Sequence, residues 1–152
     1  MANCRLILVR PMRFHITLAL LIVASGLLGA PANIALLLTN VNGERIEYLT
    51  DIGTLKRTPE WTPGKQEPPL AVSDACRIAV EAGKRRFPKA DGISIQSVTL
   101  SSIAYGAGDI VRWHYEVAIL PIVGGKTYFK DSGSYIVILM DGSIVEPTRT
   151  KA

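Results

Sequence analysis

The pattern of apolar and polar positions changes period several times along the chain, and each change marks an element. Ile16 to Ala30 carries no charge and is preceded by Arg5, Arg10 and Arg13. Ile34 to Val41 is again mostly apolar, and Glu44 to Leu49 follows it across Asn42-Gly43. Asn-Gly tolerates the positive φ of a type I′ turn, so these two segments predict a β-hairpin. The apolar run of the first strand is equally compatible with the tail of a leader. Residues 50–69 lose all period. Pro59, Pro63, Gly64, Pro68 and Pro69 break regular structure there, which predicts an irregular segment. Trp61 in its middle is large enough to dock that segment against a core edge.

A three- and four-residue period begins at Val72. Val72, Ala75, Cys76, Ala79, Gly83 and Phe87 share one face and predict a helix over 72–87. Most of that face is small, so the helix can approach a sheet closely. Ser73 or Asp74 is expected to serve its first amides. Lys84, Arg85 and Arg86 suit the negative end of its dipole, and Pro88 ends it. The period then falls to two. Ile93, Ile95, Val98 and Leu100 alternate with polar residues, and the change of register near Ser97 predicts a bulge. Val111, Trp113, Tyr115, Val117 and Ile119 alternate against Arg112, His114 and Glu116. Tyr135 to Met140 is a continuous apolar run ending at Asp141-Gly142. That dipeptide is either a tight hairpin or a bend before a strand over Ser143 to Glu146. Gly106 and Gly108 turn the chain between the first two strands, and 121–134 reads as a longer loop. Successive strands with short connections predict an α+β fold: an antiparallel sheet with one main helix packed on one face.

The start of the chain bears on location. Ala30-Pro31-Ala32 places small residues at the two positions a signal peptidase reads, behind a basic start and an apolar core. This is the layout of a signal peptide over residues 1–32, removed after Ala32 on export to the periplasm or beyond. The alternative keeps residues 16–38 as an inner-membrane anchor, since about 20 apolar residues span a bilayer; Pro31 and Asn33 interrupt that run. Three of the 17 Lys and Arg residues, and none of the 13 Asp and Glu, precede Asn33, leaving 14 against 13. The remaining chain is close to neutral, so its charge points to no nucleic-acid partner. It divides at its proline-rich stretch into residues 33–66 and a helix-plus-sheet segment over 67–152. Cys4 lies in the leader and Cys76 stands alone after it, so folding rests on apolar burial rather than on an internal disulfide.

The candidate chemistry is sparse. Cys76 with His114 is the obvious thiol–imidazole pair. Cys76 lies on the small helix face, however, and His114 lies on the opposite side of its strand from Trp113 and Tyr115. The pattern therefore favours a buried structural thiol. Arg112, His114 and Glu116 form a polar stripe that reads either as a solvated sheet face or as a grip for a peptide. One His and one carboxylate fall short of a metal site, and no motif implies a cofactor. Lys84, Arg85, Arg86 and Lys89 form a basic cluster, read as a solvated helix end. Gly106-Ala107-Gly108 lacks the third glycine and the following helix of a dinucleotide fingerprint.

Four segments together resemble the PepSY-like domains of bacterial envelope proteins. They are Glu67-Pro68-Pro69-Leu70, the helix through Phe87-Pro88, Trp113-His114-Tyr115-Glu116-Val117, and Ile138-Leu139-Met140-Asp141-Gly142-Ser143-Ile144-Val145-Glu146-Pro147. The resemblance covers roughly 67–147. It implies a cystatin-like, helix-on-sheet layout and a module that binds peptides or regulates a peptidase, with no catalytic residues to carry over. The expectation is an exported, non-catalytic module that binds a peptide or protein partner in the cell envelope, with Arg112, His114 and Glu116 as its binding face. The alternatives are an enzyme using Cys76 and a membrane-anchored structural component of the envelope. Intact-mass measurement of the exported protein is expected to give a chain beginning at Asn33; a mass retaining residues 1–32 would establish the anchor instead.

Overall fold

The computed structural model describes residues 33–41, 43–106, 110–128 and 135–151, apart from the Lys151 side chain. The expected leader, Asn42, Gly108 and residues 129–134 of the expected 121–134 loop lie outside the described residues.

Strands β1 (Asn33–Val41) and β2 (Glu44–Asp51) form the expected hairpin, with Val41 opposite Glu44. Gly43 in its two-residue connection has φ near 79°, a region closed to most side chains. Asp51 then caps a short helix, α1 (Ile52–Arg57): its carboxylate accepts the Thr54 amide at 2.8 Å and the Thr54 hydroxyl at 2.6 Å. This corrects the expectation of irregular chain from residue 50. A helix of six residues is too short to show a period, and the capping aspartate was its only signal. Thr58 closes the helix by donating its hydroxyl (2.7 Å) and its amide (3.2 Å) to the Leu55 carbonyl. Further on, Trp61 docks edge-to-face on Trp113 with ring centroids 5.3 Å apart, and its indole N–H donates to the Gln66 carbonyl at 2.9 Å.

Helix α2 (Val72–Arg86) follows the expected span and buries Ala75, Cys76, Ala79, Ala82 and Gly83. Its N-cap is Ala71, with no side chain serving the first amides. Ser73 and Asp74 already lie inside the first turn, and Asp74 pairs with Arg77 at 3.2 Å instead. At the other end the Phe87 amide donates to the Gly83 carbonyl at 2.8 Å. A Cβ on Gly83 would come within 2.8 Å of Ile119 Cδ1 and 3.0 Å of the Ile93 side chain. The helix therefore sits closer to the sheet here than a side chain would allow unless Ile93 and Ile119 shifted.

The main sheet comprises β3 (Gly92–Tyr105), β4 (Ile110–Val123), β5 (Lys126–Thr127), β6 (Tyr135–Leu139) and β7 (Ile144–Val145). Its order is β3-β4-β6-β7, all antiparallel, with β5 paired to the end of β4. The bulge falls between Ile95 and Ser97. Gly124 and Gly125, with φ of 58° and 73°, turn β4 into β5, so the first part of the expected long loop is a tight hairpin. Asp141-Gly142 makes a second tight hairpin. Gly142 takes φ of 85°, its amide donates to Leu139 O at 2.9 Å, and the Asp141 carboxylate accepts the Ser143 amide and hydroxyl. Strand β7 is shorter than the expected 143–146. The chain leaves the sheet at Glu146 and enters a second sheet as β8 (Pro147–Lys151), which pairs with β2 from Tyr48–Pro147 to Glu44–Lys151. Pro147 fits because it opens a strand at the edge of the sheet β1-β2-β8.

Two sheets and a helix thus make three layers. Helix α2 packs Ala75 and Ala79 against Tyr115, Val117, Ile119, Ile136 and Ile138 on one face of the main sheet. The second sheet and α1 cover the other face, where Leu36, Ile46, Tyr48 and Leu55 meet Val137, Leu139 and Val145. Strand β6 is therefore buried on both sides, which accounts for its unbroken apolar run. The layers meet at the Tyr135 carbonyl: the Tyr48 hydroxyl from the second sheet and Arg86 Nη1 from α2 both donate to it at 2.7 Å. The architecture is α+β, mostly antiparallel, with one long helix. Among the described residues no helix is long and apolar enough to cross a membrane. Substitution Gly83→Val is expected to lower unfolding free energy by about 1–3 kcal/mol through overpacking against Ile93 and Ile119. Urea titration would read the loss, and Gly83→Ala should lose less, because the two isoleucine side chains can give way.

Candidate functional site

The period of two does place Arg112, His114 and Glu116 on one face of β4, but that face looks into the protein. Arg112 is 6% exposed and His114 2% exposed beneath the second sheet. This corrects the reading of a solvated or open stripe. Alternation fixes which residues share a face; it does not say whether a distant part of the chain covers them. Leu139 and Val137 lie opposite His114 and Glu116 on β6, and their apolar side chains draw the second layer over the stripe.

Arg112 is bonded within the protein, whereas neither ring nitrogen of buried His114 has a hydrogen-bond partner. Arg112 donates Nε to the Leu55 carbonyl (3.1 Å), Nη1 to its neighbour's Val111 carbonyl (3.0 Å) and Nη2 to Glu60 (2.9 Å). The planar guanidinium uses its fork of donors to tie the end of α1 and the following segment to β4. His114 Nε2 lies 3.3 Å from Glu116 Oε1, off hydrogen-bond alignment. Burial pushes the Glu116 carboxyl up; the His114 ring and the Ser101 hydroxyl outweigh it and hold the carboxyl below its ordinary value.

Cys76 and His114 are not brought together. Cys76 is buried on the sheet-facing side of α2, whereas His114 points toward the second sheet, so the main sheet stands between them. Among the described residues no three His, Cys, Asp or Glu side chains converge to hold a metal ion. The basic cluster divides. Arg86 turns inward to the Tyr135 carbonyl and lies 3.8 Å from Glu146, while Lys84, Arg85 and Lys89 are exposed.

A different feature stands open. Strand β3 is the outer strand of the main sheet, and among the described residues its only strand partner is β4. It runs 14 residues, Gly92 to Tyr105, without a single Lys, Arg, Asp, Glu or Pro. Exposed edges are usually defended by such residues, because their unpaired amides and carbonyls invite another strand. Along the start of β3 a groove of about 640 Å³ runs against α2, lined by Cys76, Val80, Ile93 and Ile95 with Arg77 and Lys84 among its charged residues. The residue pattern did not single out this edge. Whether a strand is outermost depends on its neighbours, and the only local signal was the lack of charge and proline over fourteen positions.

Comparison of the chain with known protein families, with curated proteins and with solved structures gives no match. The folded Glu116 carboxyl has a lowered pKa, so its contribution to stability is complete above its unfolded value and is lost as pH falls through the folded one. The stability difference between wild type and Glu116→Gln is therefore expected to shrink as pH falls from about 5 toward 3. Urea titrations across that range would measure it; a difference that does not change with pH would show that the carboxylate gains nothing from His114 and Ser101.

Proposed function

We propose that this chain is an exported, non-catalytic binding module of PepSY-like, cystatin-like layout, which takes an extended segment of a peptide or protein partner as an added strand along β3. The observation that carries this reading is the open outer edge of β3, fourteen residues long and free of charge and proline, beside an apolar groove. The order of long helix, long strands and a final Asp-Gly hairpin supports the PepSY-like part of the proposal. A partner of this kind in the cell envelope, including a peptidase under regulation, would present an extended loop or tail.

Strand addition supplies main-chain hydrogen bonds for affinity and leaves sequence choice to side-chain pockets. Each such bond contributes roughly 1 kcal/mol net, whereas association alone costs about 4 kcal/mol or more. Several bonds along β3 would barely offset that cost, so affinity rests on partner side chains entering the groove over Val80, Ile93 and Ile95. The mode needs neither Arg112 nor His114, both of which stay buried beneath the second sheet.

The test uses the full chain, held in a non-ionic detergent, and a library of acetylated heptapeptides rich in Val and Thr. Binding peptides are expected to slow amide hydrogen exchange at least tenfold over residues 92–105. A Ser97→Lys/Thr99→Lys variant, which places lysines on two exposed positions of the edge strand, should bind at least tenfold more weakly. Peptides that bind while exchange over β3 stays unchanged would overturn the reading, as would a library with no binders.

A further inference from the structure

We infer that the molecule docks on an anionic bilayer surface through the end of the main sheet where α2 stops and β4 turns into β5; this is independent of strand addition at β3. The turn after α2 and the β4–β5 hairpin meet there. Phe87, Pro88 and Lys89 from the one, with Pro121, Val123 and Tyr128 from the other, line an open concavity of about 440 Å³. Asp91 joins the two parts: its carboxylate accepts the Gly124 amide at 2.6 Å, and its amide donates to the Ile122 carbonyl at 2.8 Å. Val123 lies opposite Lys126, and the Tyr128 amide donates to the Pro121 carbonyl at 3.0 Å. The period of two therefore sets Pro121, Val123, Lys126 and Tyr128 on one face. It is the α2 side of the sheet, because Pro121 lies opposite Ile93, which packs on Gly83. The helix stops short of it, and Val123 is left 41% exposed and Tyr128 50%. Two of the five large apolar side chains exposed among the described residues thus stand on one hairpin.

The charge around this hairpin is positive after every acid is counted. Residues 81–91 and 121–128, with Glu146, hold five cations, Lys84, Arg85, Arg86, Lys89 and Lys126, against three acids, Glu81, Asp91 and Glu146. Glu81 faces Arg77 at 3.5 Å and Glu146 lies 3.8 Å from Arg86, while Asp91 stands as a counter-charge beside the hairpin. Lys84, Arg85, Lys89 and Lys126 are exposed and form no ion pair among the described residues. The rest of the chain after Ala32 carries nine cations against ten acids, so its positive excess is gathered at this end. A bilayer containing anionic lipid answers both halves of the patch. Its headgroups attract the cations, and Lys89 and Lys126 can keep their ammonium groups there on flexible stems. Val123 and Tyr128 reach the acyl boundary, a depth that suits a tyrosine ring. Gly124 and Gly125 at the tip have no side chain to hold the hairpin away. Pro88 and Pro121 bring no N–H to be desolvated. Two apolar side chains and a small charge excess make a reversible contact that salt weakens.

The full chain is reconstituted into vesicles of phosphatidylcholine and of an equal mixture of phosphatidylcholine and phosphatidylglycerol, and amide exchange is followed by mass spectrometry. Exchange over 122–128 is expected to be at least tenfold slower on the mixed vesicles. That difference should vanish at high salt and in a Lys89→Ala/Lys126→Ala variant, with α2 exchanging as in wild type. The variant carries the same residues 1–32, so comparing it with wild type cancels any attraction of that segment to lipid. Equal exchange over 122–128 on the two kinds of vesicle would overturn the inference and leave strand addition at β3 untouched. Slowing that survives in the double-lysine variant would overturn the assignment to this hairpin. Soluble polyglutamate that slows exchange as much as the mixed vesicles would overturn the lipid occupant in favour of an acidic protein.

Discussion

Strand β6 is apolar on both of its faces, and the rest of the molecule is arranged to keep water from each of them. Ile136 and Ile138 face α2, while Val137 and Leu139 face the second sheet. Neither cover would suffice alone, because a sheet strand with one bare apolar face leaves several large side chains in solvent at roughly 1.5–3 kcal/mol apiece. The small face of α2 lets the helix come close on one side. The β1–β2 hairpin, α1 and β8 close the other. Covering that second face carries a polar stripe under with it, and the structure answers by giving Arg112 three acceptors and by setting Glu116 against His114 and Ser101.

Much of this was legible from residues close together in the chain. The span of α2, its small face, the alternation of β4, the bulge before Ser97 and the hairpin around Gly43 all depend on neighbours within a few positions, and all are present. The second layer was not legible in the same way. Its third strand begins at Pro147, a residue that argues against a strand anywhere but at an edge, and it pairs with β2 from the far end of the sequence. The clue lay in Tyr135 to Met140, since an unbroken apolar strand calls for cover on two sides. Helix α1 was hidden by its length, and the cap of α2 was misplaced because Ala71 offers no side chain to mark it.

The candidate site moved for the same reason. Arg112, His114 and Glu116 were correctly placed on one face, and the long-range cover decided that the face is interior. The open feature is an edge, which no residue of β3 announces by its own type. Burial thus separates two kinds of polar residue that look alike in sequence. Arg112 on β4 ties α1 and the segment after it to the main sheet, whereas Lys84, in the last turn of α2, stays in solvent at the groove.

The passage of the chain from β7 into β8 also sets the order in which the molecule can be completed. Glu44 and Arg149, which meet across the second sheet, are 105 residues apart. During synthesis the β1–β2 hairpin emerges before the main sheet and waits for β8, about a hundred residues later, before its third strand arrives. Contacts of such long sequence separation form slowly, and apolar surface awaiting its cover is prone to association. Pairing of β8 with β2 is therefore a late step of assembly. Cutting away β8 would leave the edge of β2 and the layer beneath it uncovered, not merely a frayed end.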